Sequence, residues 1–151
     1  MRLQEQATRR PAGQSLYCNM PDVSVLESFP TPSATPFVIE HVSDEFTSVC
    51  PKTGHPDFGS ITLRYCPAPA GTKAGDTNGC IELKSLKMYY QSFRNEGIYY
   101  EAVTNRIRDD LVKATQPVWL QIIAVWKGRG GIRSVIRAEF GPVPAEWKTV
   151  K

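Results

Sequence analysis

The sequence predicts an α+β fold of order ββααββ, with a mainly antiparallel sheet and two helices on one face. Three observations carry that expectation. Ile61, Leu63 and Tyr65 alternate with Thr62, Arg64 and Cys66, the period of two of a half-buried strand. Leu86, Tyr89, Tyr90 and Phe93, and after them Val103, Ile107, Leu111 and Ala114, follow the spacing of amphipathic helices. Two β-rich runs, 119–126 and 132–140, are joined by Lys127-Gly128-Arg129-Gly130-Gly131, a hairpin connection by composition.

Taken in order, residues 1–36 carry Pro11, Pro21, Pro30, Pro32 and Pro36 without sustained periodicity. They read as an irregular arm docked in part by Val25, Leu26 and Phe29, with a single domain over 37–151. Residues 37–39 form a short candidate strand, and the strand opening at Gly59 follows. The stretch 67–79, rich in Pro, Ala, Gly, Thr, Asp and Asn, is a surface connection. Residues 80–84 are the expected partner strand of 59–66. Gly97 is a plausible stop for the first helix. The second helix sets Arg106, Arg108, Asp109, Asp110 and Lys113 opposite its apolar stripe, and Pro117 forbids its continuation.

Composition narrows the function classes. Of 151 residues 41% are hydrophobic and 22% charged, which fits one globular domain and no fibrous repeat. A chain of this length buries about two thirds of its unfolded surface, so neither disulfides nor a structural metal are needed. The net charge of +3 is too mild to indicate nucleic-acid binding. There is no run of 18 apolar residues for a membrane span and no apolar stretch near the N-terminus for a signal peptide. Cys18, Cys50, Cys66 and Cys80 form no CxxC pair, and the cytoplasm is the expected compartment.

The densest chemistry lies in Phe46-Thr47-Ser48-Val49-Cys50-Pro51-Lys52-Thr53-Gly54-His55-Pro56-Asp57-Phe58-Gly59. A short loop fixed by proline and glycine holds a thiol and a carboxylate seven residues apart, as a nucleophile and its proton carrier require. Taken alone, a cysteine is more often a small core hydrophobe and an aspartate a turn residue. In Glu82-Leu83-Lys84-Ser85-Leu86-Lys87-Met88-Tyr89, Lys84 and Lys87, with Arg94 nearby, offer a cationic rim for phosphates, helped by free N–H groups at a helix start. The plainer alternative is a solvated helix face. Glu101, after Tyr99 and Tyr100, opens the second helix, where the helix dipole alone favours a carboxylate. His41 and His55 come without an orienting group for a Cys-His pair, zinc-ligand spacing is absent, and Gly128-Arg129-Gly130-Gly131 is not a dinucleotide fingerprint.

Together these segments resemble the 7-cyano-7-deazaguanine reductases of queuosine synthesis in their single-module form. The likeness rests on Phe-Thr-Ser-x-Cys-Pro-x-Thr-Gly-x-Pro-Asp-Phe over 46–58 and on Glu-Leu-Lys-Ser-Leu-Lys with Ser92-Phe93-Arg94-Asn95. Val25-Leu26-Glu27-Ser28-Phe29-Pro30 and Arg129-Gly130-Gly131-Ile132 extend it. The resemblance implies the tunnelling fold (T-fold) and an NADPH-dependent reduction of a nitrile to an aminomethyl group. It implies Cys50 as a nucleophile forming a covalent thioimide, Asp57 as the proton carrier, and Glu101 as the anchor of the 7-deazapurine nitrile. Tyr100, where many members have histidine, and Ser85 are expected at the substrate; Lys84, Lys87 and Arg129 are expected at NADPH. Asp57 is expected to be buried beside Phe58.

No metal, direct nucleic-acid contact or membrane contact is expected. The resemblance further implies a homo-decamer of two stacked pentamers with active sites between neighbours. The rivals are a cyclohydrolase-like or amidinotransferase-like relative of the same fold and a purine-binding module without turnover.

Overall fold

A computed structural model describes residues 21–148. Its centre is a four-stranded antiparallel sheet in the order β2-β3-β5-β6: β2 (Ile39–Val49), β3 (Pro56–Cys66), β5 (Trp119–Arg129) and β6 (Ile132–Phe140). A separate two-residue ribbon pairs β1 (Ser28–Phe29) with β4 (Cys80–Ile81). Between β3 and β5 the chain forms α1 (Gly75–Asn78), α2 (Leu83–Gln91) and α3 (Tyr100–Thr115). The ββααββ order therefore stands, with α1 and the ribbon added inside and before it. No helix of the described residues is long and apolar enough to cross a membrane.

Two expectations need correction. The partner of β3 in the first hairpin is β2, an 11-residue strand, and not residues 80–84. Only Cys80 and Ile81 are extended there, and they pair with Ser28 and Phe29. Both edges of β3 are already occupied, by β2 and β5, so Ile81 instead donates its N–H to the Tyr65 hydroxyl at 3.0 Å. The first helix ends at Gln91, well before Gly97, and Gly97 bridges to Val49.

The length of β2 escapes a period-two search because the period breaks. The register slips between Ser43 and Phe46, where two residues, Asp44 and Glu45, stand opposite Ser60. Such a bulge shifts every later side chain to the other face. Ile39, His41 and Ser43 turn inward before it, and Phe46 and Ser48 after it.

The core lies on one face of the sheet, under α2 and α3. Phe46, Ile61, Leu63 and Trp126 from the sheet meet Leu86, Tyr89 and Phe93 and then Val103, Ile107 and Leu111 from the helices. Phe46 packs edge-on against Tyr90 and Trp126, each at 5.8 Å between ring centres. Ala114, expected in the α3 stripe, is half-buried, while Thr115 is fully buried and donates its hydroxyl to the Leu111 carbonyl. Of the expected arm, residues 1–20 lie outside the described residues. Within the rest Leu26 packs on the core, whereas Val25 and Phe29 are exposed.

Since Phe46 fills the space that the bulge opens to it, Phe46→Ala should cost about 3–5 kcal/mol of folding stability. Urea unfolding of the variant against the parent checks this.

Candidate active site

Two hairpin ends and one helix start converge at one end of the sheet. The turn between β2 and β3, residues 50–55, is closed by Cys50 N–H to the His55 carbonyl and Gly54 N–H to the Cys50 carbonyl, both at 2.9 Å. Gly54 has φ +71°, a conformation that costs glycine little. Gly130 and Gly131, between β5 and β6, have φ +56° and +79°, the signature of a tight hairpin turn. The end of β2 is clasped to the α2–α3 connection: Val49 N–H donates to the Glu96 carbonyl at 2.9 Å, and Ile98 N–H to the Val49 carbonyl at 3.1 Å. That clasp brings Cys50 beside the first turn of α3.

The result is a cleft of about 310 Å³ lined by Cys50, Asp57, Tyr100, Glu101, Arg129 and Ile132, among others. Its floor is Asp57, only 3% exposed. A carboxylate so placed requires partners. Tyr100 Oη donates to Asp57 Oδ1 at 2.9 Å, and Arg129 Nη2 forms an ion pair with the same oxygen at 2.9 Å. Arg129 also donates to the Pro56 carbonyl. Phe58, expected to bury Asp57, points away from it and is 48% exposed, with the Lys127 ammonium over its ring. The burial comes instead from the inward phase of β3 and from the Tyr100 ring.

Tyr100 is held by stacking. Its ring lies 4.1 Å from that of Trp126 at an interplanar angle of 8°. Trp126 is fully buried beside Gly59, where an added Cβ would come within 2.7 Å of the Val125 carbonyl oxygen and 3.0 Å of the indole. Neither Trp126 nor Gly59 was among the expected site residues. The available signal was a glycine inside an alternating strand, which marks a close approach.

Electrostatics sort the two titrating groups. Cys50 is half-buried, and its thiol is held below the usual range first by the Thr53 hydroxyl and then by the Thr53 and Lys52 backbone N–H groups. Burial and the Asp57 charge oppose this. The Tyr100 phenol is pushed up, first by burial and then by its bond to Asp57, so it remains a neutral donor at physiological pH.

Of the expected site residues, the structure brings together Cys50, Asp57, Tyr100, Glu101 and Arg129. Ser85 does not line this cleft within the chain. Its hydroxyl accepts from Glu27 N–H at 2.9 Å and donates to the Glu82 carbonyl at 2.8 Å, tying the segment before β1 to α2. Arg129, expected at the cofactor, rests on Asp57. Lys87 and Arg94 line a second groove of about 430 Å³, between α2 and the bulged part of β2, while Lys84 lies outside its lining.

The expectation of free N–H groups at the α2 start is corrected: Glu82 caps it, accepting from Lys84 N–H at 2.7 Å and Ser85 N–H at 2.6 Å. Anion binding therefore falls to side chains. The groove pairs the cations Lys87 and Arg94 with the apolar wall of Leu83, Leu86 and Tyr90, a donor set that fits a phosphate-bearing cofactor with a flat ring. Asp44 and Glu45 stand among the groove's lining on the strand side, so its cationic side is the helix side.

A family model described as QueF-like protein matches residues 56–143. A protein of Chloroherpeton thalassium named NADPH-dependent 7-cyano-7-deazaguanine reductase is 56% identical over 104 residues, 69% of this chain and 82% of its own length. Proteins of the same name from Anaeromyxobacter sp. strain K and Rhodopirellula baltica are 50% and 53% identical, covering 80% and 74% of this chain and 92% and 85% of their own. A crystal structure of an archaeosine synthase QueF-Like in the apo form superposes with a TM-score of 0.56 at 20% identity, over 74% of this chain and 99% of that one. At that identity the likeness speaks for the fold, the tunnelling fold.

If the Thr53 hydroxyl holds the thiol down, iodoacetamide should alkylate Cys50 with a pH midpoint below that of an ordinary thiol. Thr53→Val should move the midpoint upward, and Thr53→Ser should restore it; following the rate of alkylation against pH by mass spectrometry measures all three.

Proposed function

The chain belongs to the QueF-like protein family, and on that premise we propose how its cleft performs the reduction. The protein is an NADPH-dependent reductase of 7-cyano-7-deazaguanine, the nitrile of the queuosine route. The observation that supports the site assignment is a half-buried thiol with a lowered pKa sharing one cleft with a buried carboxylate.

In this proposal Cys50 Sγ adds to the nitrile carbon. A C–S bond forms, one C–N π bond breaks, and the nitrogen takes up a proton, leaving a thioimide. Dividing a hard reduction in this way gives a C=N unit that accepts hydride more readily than the nitrile. Two molecules of NADPH, bound in turn, would each supply one hydride; with two protons these complete the aminomethyl product, and the C–S bond breaks to return the Cys50 thiol. Asp57 holds the proton that leaves the thiol and delivers it to the nitrogen. Tyr100 and Arg129 hold the Asp57 carboxyl in place, so Arg129 serves as counter-ion in the cleft. Glu101, at the cleft rim, accepts from the ring N–H and exocyclic amine of the guanine-like edge, each such bond worth about 1.5–3 kcal/mol. Lys87 and Arg94 in the groove, with Lys84 on the same helix beyond its lining, would meet the cofactor's phosphates.

Assembly completes the site. The outer edges of β2 and β6 are unpaired within the described residues, and exposed edges pair with other chains unless blocked. Copies joined edge to edge into pentamers, two of them stacked, would let one subunit's cleft face the next subunit's groove. The compartment we assign is the cytoplasm.

Nitrile-dependent oxidation of NADPH, followed by absorbance, tests the proposal. Asp57→Asn keeps the shape but cannot carry a proton, so turnover should fall at least about 10²-fold with nitrile binding near normal. Unchanged turnover would remove Asp57 from the mechanism.

A further inference from the structure

Ser48 is a residue that the scheme above leaves unused, and its placement is unusual. It is fully buried, and its hydroxyl has no hydrogen-bond partner among the described residues. Buried hydroxyls without a partner are uncommon and call for an explanation. In the β2–β3 register Ser48 stands directly opposite Asp57. Residues so paired share a face and have Cβ atoms about 4.5–5.5 Å apart. The bulge before Phe46 sets this phase; without it Ser48 would face the other side of the sheet.

Asp57 needs two different sets of partners. As a carboxylate it accepts hydrogen bonds, and Tyr100 and Arg129 supply donors, both to Oδ1. As a carboxylic acid it must donate one. The Arg129 guanidinium has no acceptor, and the Tyr100 hydroxyl, which donates to Oδ1, could accept from that oxygen only by turning its own hydrogen away. The Ser48 hydroxyl, with its lone pairs unclaimed, belongs to the residue paired with Asp57 on the same face of the hairpin and is not part of the cleft lining. We propose that Ser48 is a positioning residue for Asp57: its Oγ accepts the hydrogen bond of the protonated carboxyl, holding the proton between its departure from Cys50 and its delivery to the nitrile nitrogen. No atom is gained or lost in this step, because the proton remains on Asp57 while Oγ is its acceptor. The inference rests on the assignment of Asp57 as proton carrier.

The rate–pH profile is the readout that a merely structural serine would not move. The charged and titrating groups facing Asp57 are Tyr100 from α3, Arg129 from β5 and Cys50 from the hairpin turn, with Glu101 in the same cleft. All four are intact in Ser48→Ala, so any displacement of the profile is traced to the lost acceptor. Without Oγ the protonated carboxyl is less stable, and the alkaline limb of kcat should move to lower pH. At neutral pH kcat should fall about tenfold, the value of one strong hydrogen bond, with KM for the nitrile within about twofold. Ser48→Thr restores a hydroxyl and should return the limb toward its original position. Thermal unfolding and the Cys50 alkylation midpoint report whether each variant keeps its fold.

Adding Ser48→Ala to Asp57→Asn should cost nothing further, since Ser48 acts through Asp57. An unmoved alkaline limb in a folded Ser48→Ala, or additive losses in the double variant, overturns the inference. If Asp57→Asn alone is fully active, the assignment of Asp57 has failed instead, so the two failures are told apart.

Discussion

A carboxylate buried at the end of a sheet is the constraint around which this site is built. Asp57 faces inward because β3 alternates without interruption from Pro56 to Tyr65, and at 3% exposure its charge must be matched from within the protein. The match comes from two elements distant in sequence, Arg129 at the end of β5 and Tyr100 at the start of α3. Arg129 is 41% exposed, so its charge is screened by water, and the ion pair contributes more to orientation than to stability. The Tyr100 bond is fixed from behind by the stack on Trp126, which in turn needs the missing Cβ of Gly59. A buried carboxyl, a phenol, an indole and a glycine thus form one continuous contact chain across three elements.

The thiol reaches this carboxyl by a separate route. The bulge in β2 turns Phe46 into the core and anchors the strand just before Cys50, and the Val49 clasp to residues 96–98 fixes the strand's end against the helix connection. The turn then presents Cys50 half-buried, with Thr53 placed to stabilise its thiolate. The proposed nucleophile and proton carrier come from the turn and the second strand of one hairpin, so their spacing is set by local geometry. Glu101, the proposed substrate anchor, comes from another element, and its place in the cleft depends on the clasp. This division explains why a seven-residue separation in sequence can serve both positions, and why the loop needs glycine at position 54.

Much of this was legible in the sequence, for identifiable reasons. The periods of 59–66, of the two helices and of the last two strands survive intact, so βααββ could be read from them; the remaining strand of the ββααββ order, expected at 80–84, is supplied by β2. Cys50, Asp57, Tyr100, Glu101 and Arg129 stand in short motifs, and the structure gathers them. β2 was not legible beyond residue 39, because the bulge at Asp44 and Glu45 breaks its alternation and its residues are largely polar. The false strand at 80–84 followed from that loss, since β3 then lacked a partner. The helix-start amides were misjudged for a different reason: Glu82 reads as part of a charged motif, and only its geometry shows a cap. Ser85 and Ser48 reverse each other, one a motif residue committed to backbone contacts, the other an inconspicuous strand residue with its hydroxyl unclaimed.

The central claim is that Cys50 bonds covalently to the nitrile carbon in the cleft whose floor is Asp57. Intact-protein mass spectrometry after mixing with 7-cyano-7-deazaguanine, without NADPH, tests it most directly. The account predicts a gain of one substrate mass per chain that maps to Cys50, disappears when NADPH is added, and does not form in Cys50→Ala. An adduct on Cys18, Cys66 or Cys80, or an adduct that persists in Cys50→Ala, would contradict it.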